Sequence, residues 1–455
     1  MGERQMTQTD AKEGKNSLGL AIAYVTTLFF IWAVVTNLLD PAIAAMKTIY
    51  NLKGFSLALQ TFAFFIAYGV MSMPAASFLS KKGYANSVIV GLGGIVLGCV
   101  IAFISTKVAS YFVFLVGLFV MASGITLLQV AANPLIASMG DPKHSAFRLN
   151  LSQAFNSLGA ASVIFVGSSI LLKGEAFKPD VVMTEALKIS ALSEVGGAYL
   201  KMGIILAIFI GLIYMVRKTI SENAPQTVGA VSPFSALSSK WAQLGALGIF
   251  FYVGAEVSIG ANLILFLNQE NILNLPKMNA GHLVTWYMLF AMIGRFIGSV
   301  VMRSVKGHTV LAFAALGAIV LCAIVMMKNG AMAGDVTGTF RMPIVNVDVP
   351  LSGGTLPGMA ALCIGIFNSI MFPTIFTTTL ERSTAPASAT SGLLCVAIVG
   401  GAFVPLAFGA LKDATNSYSL AFIVPLICYA YILWFAVSAK SAPVHKIEEA
   451  TSGGH

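Results

Sequence analysis

The sequence predicts an all-α membrane protein of twelve transmembrane helices in two bundles of six. Three observations carry this. Of 455 residues, 57% are hydrophobic and only 10% are charged, and the mean hydropathy is +0.86. A soluble domain carries about 25% charged residues, so the charge here is too sparse to coat a water-facing surface. Apolar runs of the roughly 20 residues that a bilayer core demands recur twelve times. A polar stretch at mid-chain separates six runs from six, and the two sides repeat weakly. Disorder is excluded by the hydrophobicity, and collagen-like or coiled-coil structure by the absence of a regular period.

The runs lie near residues 18–46, 55–79, 84–106, 109–139, 147–172 and 199–216, then near 241–268, 280–304, 308–327, 354–380, 388–411 and 415–439. The first lacks a small-residue cleavage site behind a short apolar core, so it reads as a retained helix and not a signal peptide. Placing the N-terminus in the cytoplasm puts fifteen Lys and Arg residues on that side against eleven on the other. Short loops with this bias set topology, and an even number of spans leaves both termini inside. The formal charge of +9 then reflects cytoplasmic loops and no nucleic-acid partner. All five cysteines (Cys99, Cys322, Cys363, Cys395, Cys428) sit in apolar runs without a CxxC pair, as small buried hydrophobes do.

The polar segment 217–240 divides an N-terminal bundle, residues 1–216, from a C-terminal one, residues 241–440, which a cytoplasmic tail, 441–455, follows. Phe29-Phe30 match Phe250-Phe251 at an offset of 221 residues. The loop around Gly83 matches that around Gly307 at 224, and Asn133-Pro134 match Phe372-Pro373 at 239. The extra residues fall in the loop 328–353. A six-plus-six repeat with a substrate site between the halves near the midplane is the plan of major facilitator transporters.

Ionisable side chains at membrane depth are costly and therefore suspects for function. Three stand out. Asp40 falls two-thirds along the first run and is followed by Pro41, which bends or ends a helix. Glu256 lies fifteen residues past Trp241, about 22 Å at helical rise, slightly beyond the midplane. Arg295 lies two turns from Arg303, where it snorkels to the cytoplasmic edge or pairs structurally with Glu256.

Uncharged amides collect at similar depth. Gln129 is ten residues from the end of the fourth run, about 15 Å, and Asn133 follows one turn later on the same face. Asn150, Gln153 and Asn156 make a polar stripe on the fifth run, and Asn262 and Asn368 reach mid-depth in the second half. Asn37 is a further candidate on the first run. Amides donate and accept, as a ring of sugar hydroxyls requires; singly, each could equally join two helices. Phe155, Phe251, Tyr252, Trp286 and Phe372 offer apolar platforms for sugar C–H faces. The five histidines sit in loops, tails or span ends, so no buried histidine relay is expected. No Walker loop, metal-ligand cluster or paired carboxylates occur, which argues against ATP-driven transport, a metal site, a cofactor and enzymatic hydrolysis.

The stretch LQVAANPLIASMGDPKHSAFRLNLSQAFNSLGA (128–160) closely resembles the fucose–galactose–glucose:H+ symporter family of the major facilitator superfamily. So do FFIWAVVTNLLD (29–40), FFYVGAEVSIGA (250–261), GRFIGS (294–299), FNSIMFPTIFTTTLE (367–381) and SGLLCVAIVGGAFVP (391–405). The matches extend over most of the chain, and the RLNLxQxFNSLG signature is specific to that family.

The resemblance implies a sugar:cation symporter in the inner membrane, working by alternating access. It implies that Asp40 is a protonation site coupled to sugar and that Asn156 touches sugar. Fucose-type members carry an acid in the fourth span where this chain has Gln129, a departure that points to glucose/galactose or N-acetylglucosamine. Glu256 is then a candidate second acid, and the coupling ion is H+ or Na+. The expected partners are a small sugar and the lipid bilayer, with the chain a monomer. The expectation is a glucose or galactose symporter; the alternatives are an N-acetylglucosamine permease and a sugar receptor that does not transport.

Overall fold

The computed structural model describes residues 8–37, 45–46, 48–52, 55–171, 183–225, 232–327 and 338–445. Six long helices come first: α1 (Gln8–Asn37), α2 (Phe55–Lys82), α3 (Tyr84–Lys107), α4 (Tyr111–Ser138), α5 (Ser145–Leu171) and α6 (Glu185–Glu222). Three more follow: α7 (Lys240–Leu267), α8 (Lys277–Val301) and α9 (Gly307–Met326). The last three spans are each made of two helices. These are α10 (Thr355–Asn368) with α11 (Met371–Leu380), α12 (Ala387–Val396) with α13 (Gly400–Thr415), and α14 (Tyr418–Ala421) with α15 (Ile423–Ser438). Among the described residues, eleven helical segments are long and apolar enough to cross a membrane. The remaining long helix, α5, has 27 residues, about 40 Å at helical rise.

Two elements exceed the sequence reading. The sixth helix, expected over 199–216, begins at Glu185 and runs 38 residues, about 57 Å. Its start is fixed by Thr184, whose hydroxyl accepts from the Leu187 N–H, and by Glu185 in the positive first turn. Polar Lys188 and Glu194 hide this helix from a hydropathy reading. The loop 328–353 holds an antiparallel hairpin, β1 (Thr339–Met342) with β2 (Val347–Pro350), pairing Phe340 with Val349 and Arg341 with Asp348.

The chain divides into two compact units, one of residues 1–242 with 383–396 and 445–455, the other of 243–382 with 397–444. In the first, α12 lies on α2 and α4: Gly392 faces Ala76 and the Ser72 carbonyl without room for a Cβ, and Ser391 Oγ donates to the Val130 carbonyl at 2.8 Å. That carbonyl is an acceptor left over. Pro134 stands four residues on and has no N–H to give it.

The second unit repeats this logic. Pro373 in α11 has no N–H for the Ser369 carbonyl, and Arg295 Nε donates to it at 3.0 Å. The Asn133-Pro134 and Phe372-Pro373 match thus has a structural meaning. So does the match of the Phe pairs. A Cβ at Gly159 would collide with the Phe30 carbonyl, and one at Gly400 with the Phe250 carbonyl.

The ends of the fourth and tenth spans are each capped by a buried arginine. Arg148 gives Nε to the Ile136 carbonyl at 3.1 Å, Nη2 to that of Ala137 at 2.6 Å and Nη1 to that of Asp141 at 2.7 Å. Arg382 gives Nε to the Ala439 carbonyl at 3.0 Å and Nη1 to that of Thr378 at 3.2 Å. Terminal carbonyls of a helix lack intrahelical donors, and a cation there also opposes the helix dipole.

Candidate sugar and cation sites

In the first unit the amides lie on three helices. Gln129 of α4 donates Nε2 to the Tyr68 hydroxyl of α2 at 2.7 Å. One turn on, Asn133 is fully buried, and neither end of its amide has a hydrogen-bond partner among the described residues. A buried amide left in this state costs about 1–3 kcal/mol, so Asn133 is a group waiting for a partner.

Asn156 of α5 donates Nδ2 to the Phe29 carbonyl of α1 at 3.1 Å. Ser152, one turn before it, shares a 3.0 Å hydrogen bond with Thr26, and Gly159 follows three residues later against Phe30. Ser152, Asn156 and Gly159 therefore form the seam by which α5 lies on α1. The stripe at Asn150, Gln153 and Asn156 resolves differently at each position. Asn150 Nδ2 bonds back to the Ala146 carbonyl at 2.9 Å, Gln153 is buried, and Asn156 is half-buried at the seam. Asn37, half-buried, donates to the Ala33 carbonyl of its own helix at 2.8 Å. Asp40 lies outside the described residues.

In the second unit a denser cluster forms where the tenth span breaks between α10 and α11. Asn368, fully buried, donates Nδ2 to the Tyr287 hydroxyl of α8 at 2.9 Å. Glu256 of α7 is half-buried beside the Tyr252 hydroxyl, with the Arg295 guanidinium and the Tyr287 hydroxyl within electrostatic reach. Phe372 packs its ring on Tyr252, centroids 6.2 Å apart. Glu256, Asn368 and Phe372 are thus brought together, with Arg295 among them.

Asn262 and Trp286 stand apart from that cluster. Asn262 bonds back to the Ser258 carbonyl at 2.9 Å, and the Trp286 indole donates to the Pro343 carbonyl of the hairpin at 3.3 Å. Phe155 is exposed, and Phe251 packs against Tyr431.

The sequence reading missed the tyrosines that partner the amides, Tyr68 and Tyr287, and treated Tyr252 only as an apolar surface. A signal existed, because a buried tyrosine hydroxyl needs a polar partner and each lies in an apolar run beside candidate amides. These groups can meet sugar hydroxyls with donors and acceptors, and Phe372 can meet a sugar's apolar face.

Comparison with known proteins follows the same line. Residues 20–393 match the family model described as Major Facilitator Superfamily. The chain is 37% identical over 436 residues, 95% of itself and 97% of the relative, to a protein named glucose/galactose transporter from Brucella abortus biovar 1 (strain 9-941). It is 28% identical over 442 residues, 94% of each chain, to the L-fucose-proton symporter of Escherichia coli (strain K12). Among solved structures, it is similar to a crystal structure of the transporter FucP in the outward conformation. The TM-score is 0.77 at 26% identity, with 93% of this chain and 99% of that one covered.

Proposed function

Because this chain belongs to the major facilitator superfamily and, within it, to the fucose–galactose–glucose:H+ symporter family, we propose that it imports glucose or galactose together with a proton by alternating access. The observation that carries the substrate is the 37% identity, across nearly the whole of both chains, to a glucose/galactose transporter. The proton is supported by the fucose relative, named as a proton symporter. Gln129, in place of the acid of fucose-type members, supports a hexose other than fucose.

Asp40 is the first coupling group and Glu256 the second. A carboxylate at membrane depth is expensive while charged, so proton and sugar are favoured together over either alone. Such coupling is reciprocal: the proton raises sugar affinity by the same factor as sugar raises proton affinity. The candidate sugar ligands are, in the first unit taken by itself, Gln129, Asn133, Gln153, Asn156 and Asn37, and, in the second taken by itself, Asn262, Asn368, Trp286 and Phe372. The amides supply hydroxyl partners and the rings supply apolar faces. The protein works as a monomer in the inner membrane with both termini cytoplasmic, and it needs no cofactor beyond the coupling ion.

Uptake of a panel of labelled sugars into proteoliposomes, under an imposed pH gradient and separately with Na+, tests this reading. Glucose or galactose should accumulate with the proton gradient alone. Accumulation of an N-acetylhexosamine only, or a strict need for Na+, would replace the substrate or the ion. Binding without exchange would make the protein a receptor.

A further inference from the structure

The hairpin between the ninth and tenth spans is anchored at its base and tied at its tip. At the base, the Leu351 N–H donates to the Gly338 carbonyl at 2.8 Å, and Ser352 Oγ to the Ile272 carbonyl at 3.3 Å. A Cβ on Gly354 would collide with that same Ile272 carbonyl, so the strands start from a fixed footing on the α7–α8 connection. Met342, Val347 and Val349 are buried, while Arg341 and Asp348 on the other face are exposed.

At the tip, Met342 pairs with Val347 and leaves Pro343, Ile344, Val345 and Asn346 to turn the chain. Asn346 and Ile344 both hold a positive φ, 51° and 67°. Asparagine enters that region at little cost, whereas a β-branched residue there is an outlier. The Val345 N–H donates to the Pro343 carbonyl at 2.7 Å across Ile344, a γ-turn of the strained sense. The Ile344 side chain is 67% exposed, so its own packing does not hold it there. Strain of this kind persists only where the surroundings impose it.

The turn aims one carbonyl. Pro343 O accepts a second time, from the Trp286 indole N–H of α8 at 3.3 Å. An indole has no other polar group, so with its donor spent on the hairpin it offers a ligand only its ring. That ring also packs on Phe290, one turn on, with centroids 5.3 Å apart. Next to it, Tyr287 pins α8 to α10: its hydroxyl accepts from Asn368, and its carbonyl leaves no room for a Cβ on Gly365. Helix, neighbouring ring and hairpin together fix the indole. A tryptophan that merely anchors a loop at a membrane interface needs no strained residue opposite it.

We propose that Ile344, through the turn it makes at the tip of the hairpin, is a positioning residue for Trp286. The turn aims the Pro343 carbonyl at the indole N–H and fixes the ring in the orientation in which it meets the apolar C–H side of the sugar. A ring already fixed loses little freedom when sugar arrives, so the hairpin contributes to affinity and leaves turnover untouched. This rests on the reading of Trp286 as part of the sugar site.

The test uses the full-length protein in proteoliposomes, with Ile344→Gly, Ile344→Pro and Trp286→Phe, and each Ile344 variant combined with Trp286→Phe. The KM and maximal rate of labelled glucose and galactose exchange are measured, together with tryptophan emission in the absence of sugar. The part due to Trp286 is the difference between each protein and its Trp286→Phe counterpart. Ile344→Gly keeps the positive φ without the clash and should match wild type in exchange and in Trp286 emission. Ile344→Pro sets φ near −65° and cannot make the turn, so KM should rise roughly tenfold at an unchanged maximal rate. Its Trp286 emission should shift and become more open to quenching by iodide. Trp286→Phe keeps a ring without the N–H and should raise KM likewise. The Ile344→Pro/Trp286→Phe variant should be no worse than either alone, because both changes break one contact.

A wild-type KM in Ile344→Pro or in Trp286→Phe would overturn the proposal. So would KM increases that multiply in the double variant, or an Ile344→Gly protein that behaves like Ile344→Pro. Should Ile344→Pro fail to fold, Trp286→Phe and Ile344→Gly still decide by their KM values. If the wild type exchanges no sugar, the carrier reading fails instead. The emission then decides alone: a shift in Ile344→Pro upholds the hairpin's hold on the indole, and an unchanged Trp286 emission overturns it.

Discussion

At the residue scale, the amides of the first unit differ in whether and how they are engaged, and the differences predict different outcomes on truncation. Gln129→Ala removes the donor to Tyr68, and Asn156→Ala the donor to the Phe29 carbonyl. Both should weaken sugar binding by about 1–3 kcal/mol, the cost of a lost buried hydrogen-bond partner. Titration calorimetry on purified protein reads this, and unchanged affinity in both would make the amides mere ties between helices. Asn133→Leu separates the roles further: with no partner to lose among the described residues, the fold should melt no lower while sugar affinity drops. Gln129, Asn133 and Asn156 were legible in the sequence because amides are rare at membrane depth and depth can be counted from a span's end. Their partners were not. A main-chain carbonyl such as that of Phe29 carries no sequence signal, and the hydroxyls of Tyr68 and Tyr287 hide among aromatic residues that packing alone would explain.

Among elements, the arginine caps and the proline breaks carry the expected sensitivities. Arg148→Ala would leave the Ile136 and Ala137 carbonyls at the end of α4 without its donors, while that of Asp141 keeps the His144 N–H. Each costs about 1–3 kcal/mol when buried and unpaired, so a clear drop in melting temperature is expected, with Arg148→Lys in between because an ammonium cannot span three acceptors as a fork does. A melting temperature equal to wild type in Arg148→Ala would show that water satisfies those carbonyls. Gly159→Val should likewise destabilise, by the roughly 1–3 kcal/mol of overpacking, since its side chain would drive into the Phe30 carbonyl. Helix count and order followed from hydropathy, and the repeat was visible at Phe29-Phe30 and at Pro134 because proline and close-packed aromatics mark backbone geometry. The long start of α6 was not legible: its cap at Thr184 and its polar first turns look like loop to a hydropathy reading. Nor was the hairpin, whose four-residue strands lie in a stretch read only as the insertion between repeats.

For the whole molecule, sugar movement is joined to proton movement through carboxylates that the membrane penalises when charged. The sequence locates Asp40 by its depth and by the family's pattern, and Glu256 by depth alone; the cluster around Glu256 is a product of folding, assembled from α7, α8, α10 and α15. Asp40→Asn mimics the loaded, neutral carboxyl and cannot release its proton. It should therefore still swap labelled for unlabelled sugar across a membrane but lose uphill accumulation, because the empty carrier cannot return without giving up its proton. Retained accumulation in that variant would move the coupling role to Glu256.

The most direct measurement is uptake of labelled glucose and galactose into proteoliposomes holding the wild-type protein, with a pH gradient, acid outside, as the sole driving force. The account predicts accumulation above the outside concentration that collapses when a protonophore dissipates the gradient. Equilibration without accumulation would contradict it, showing a carrier that moves sugar and proton independently.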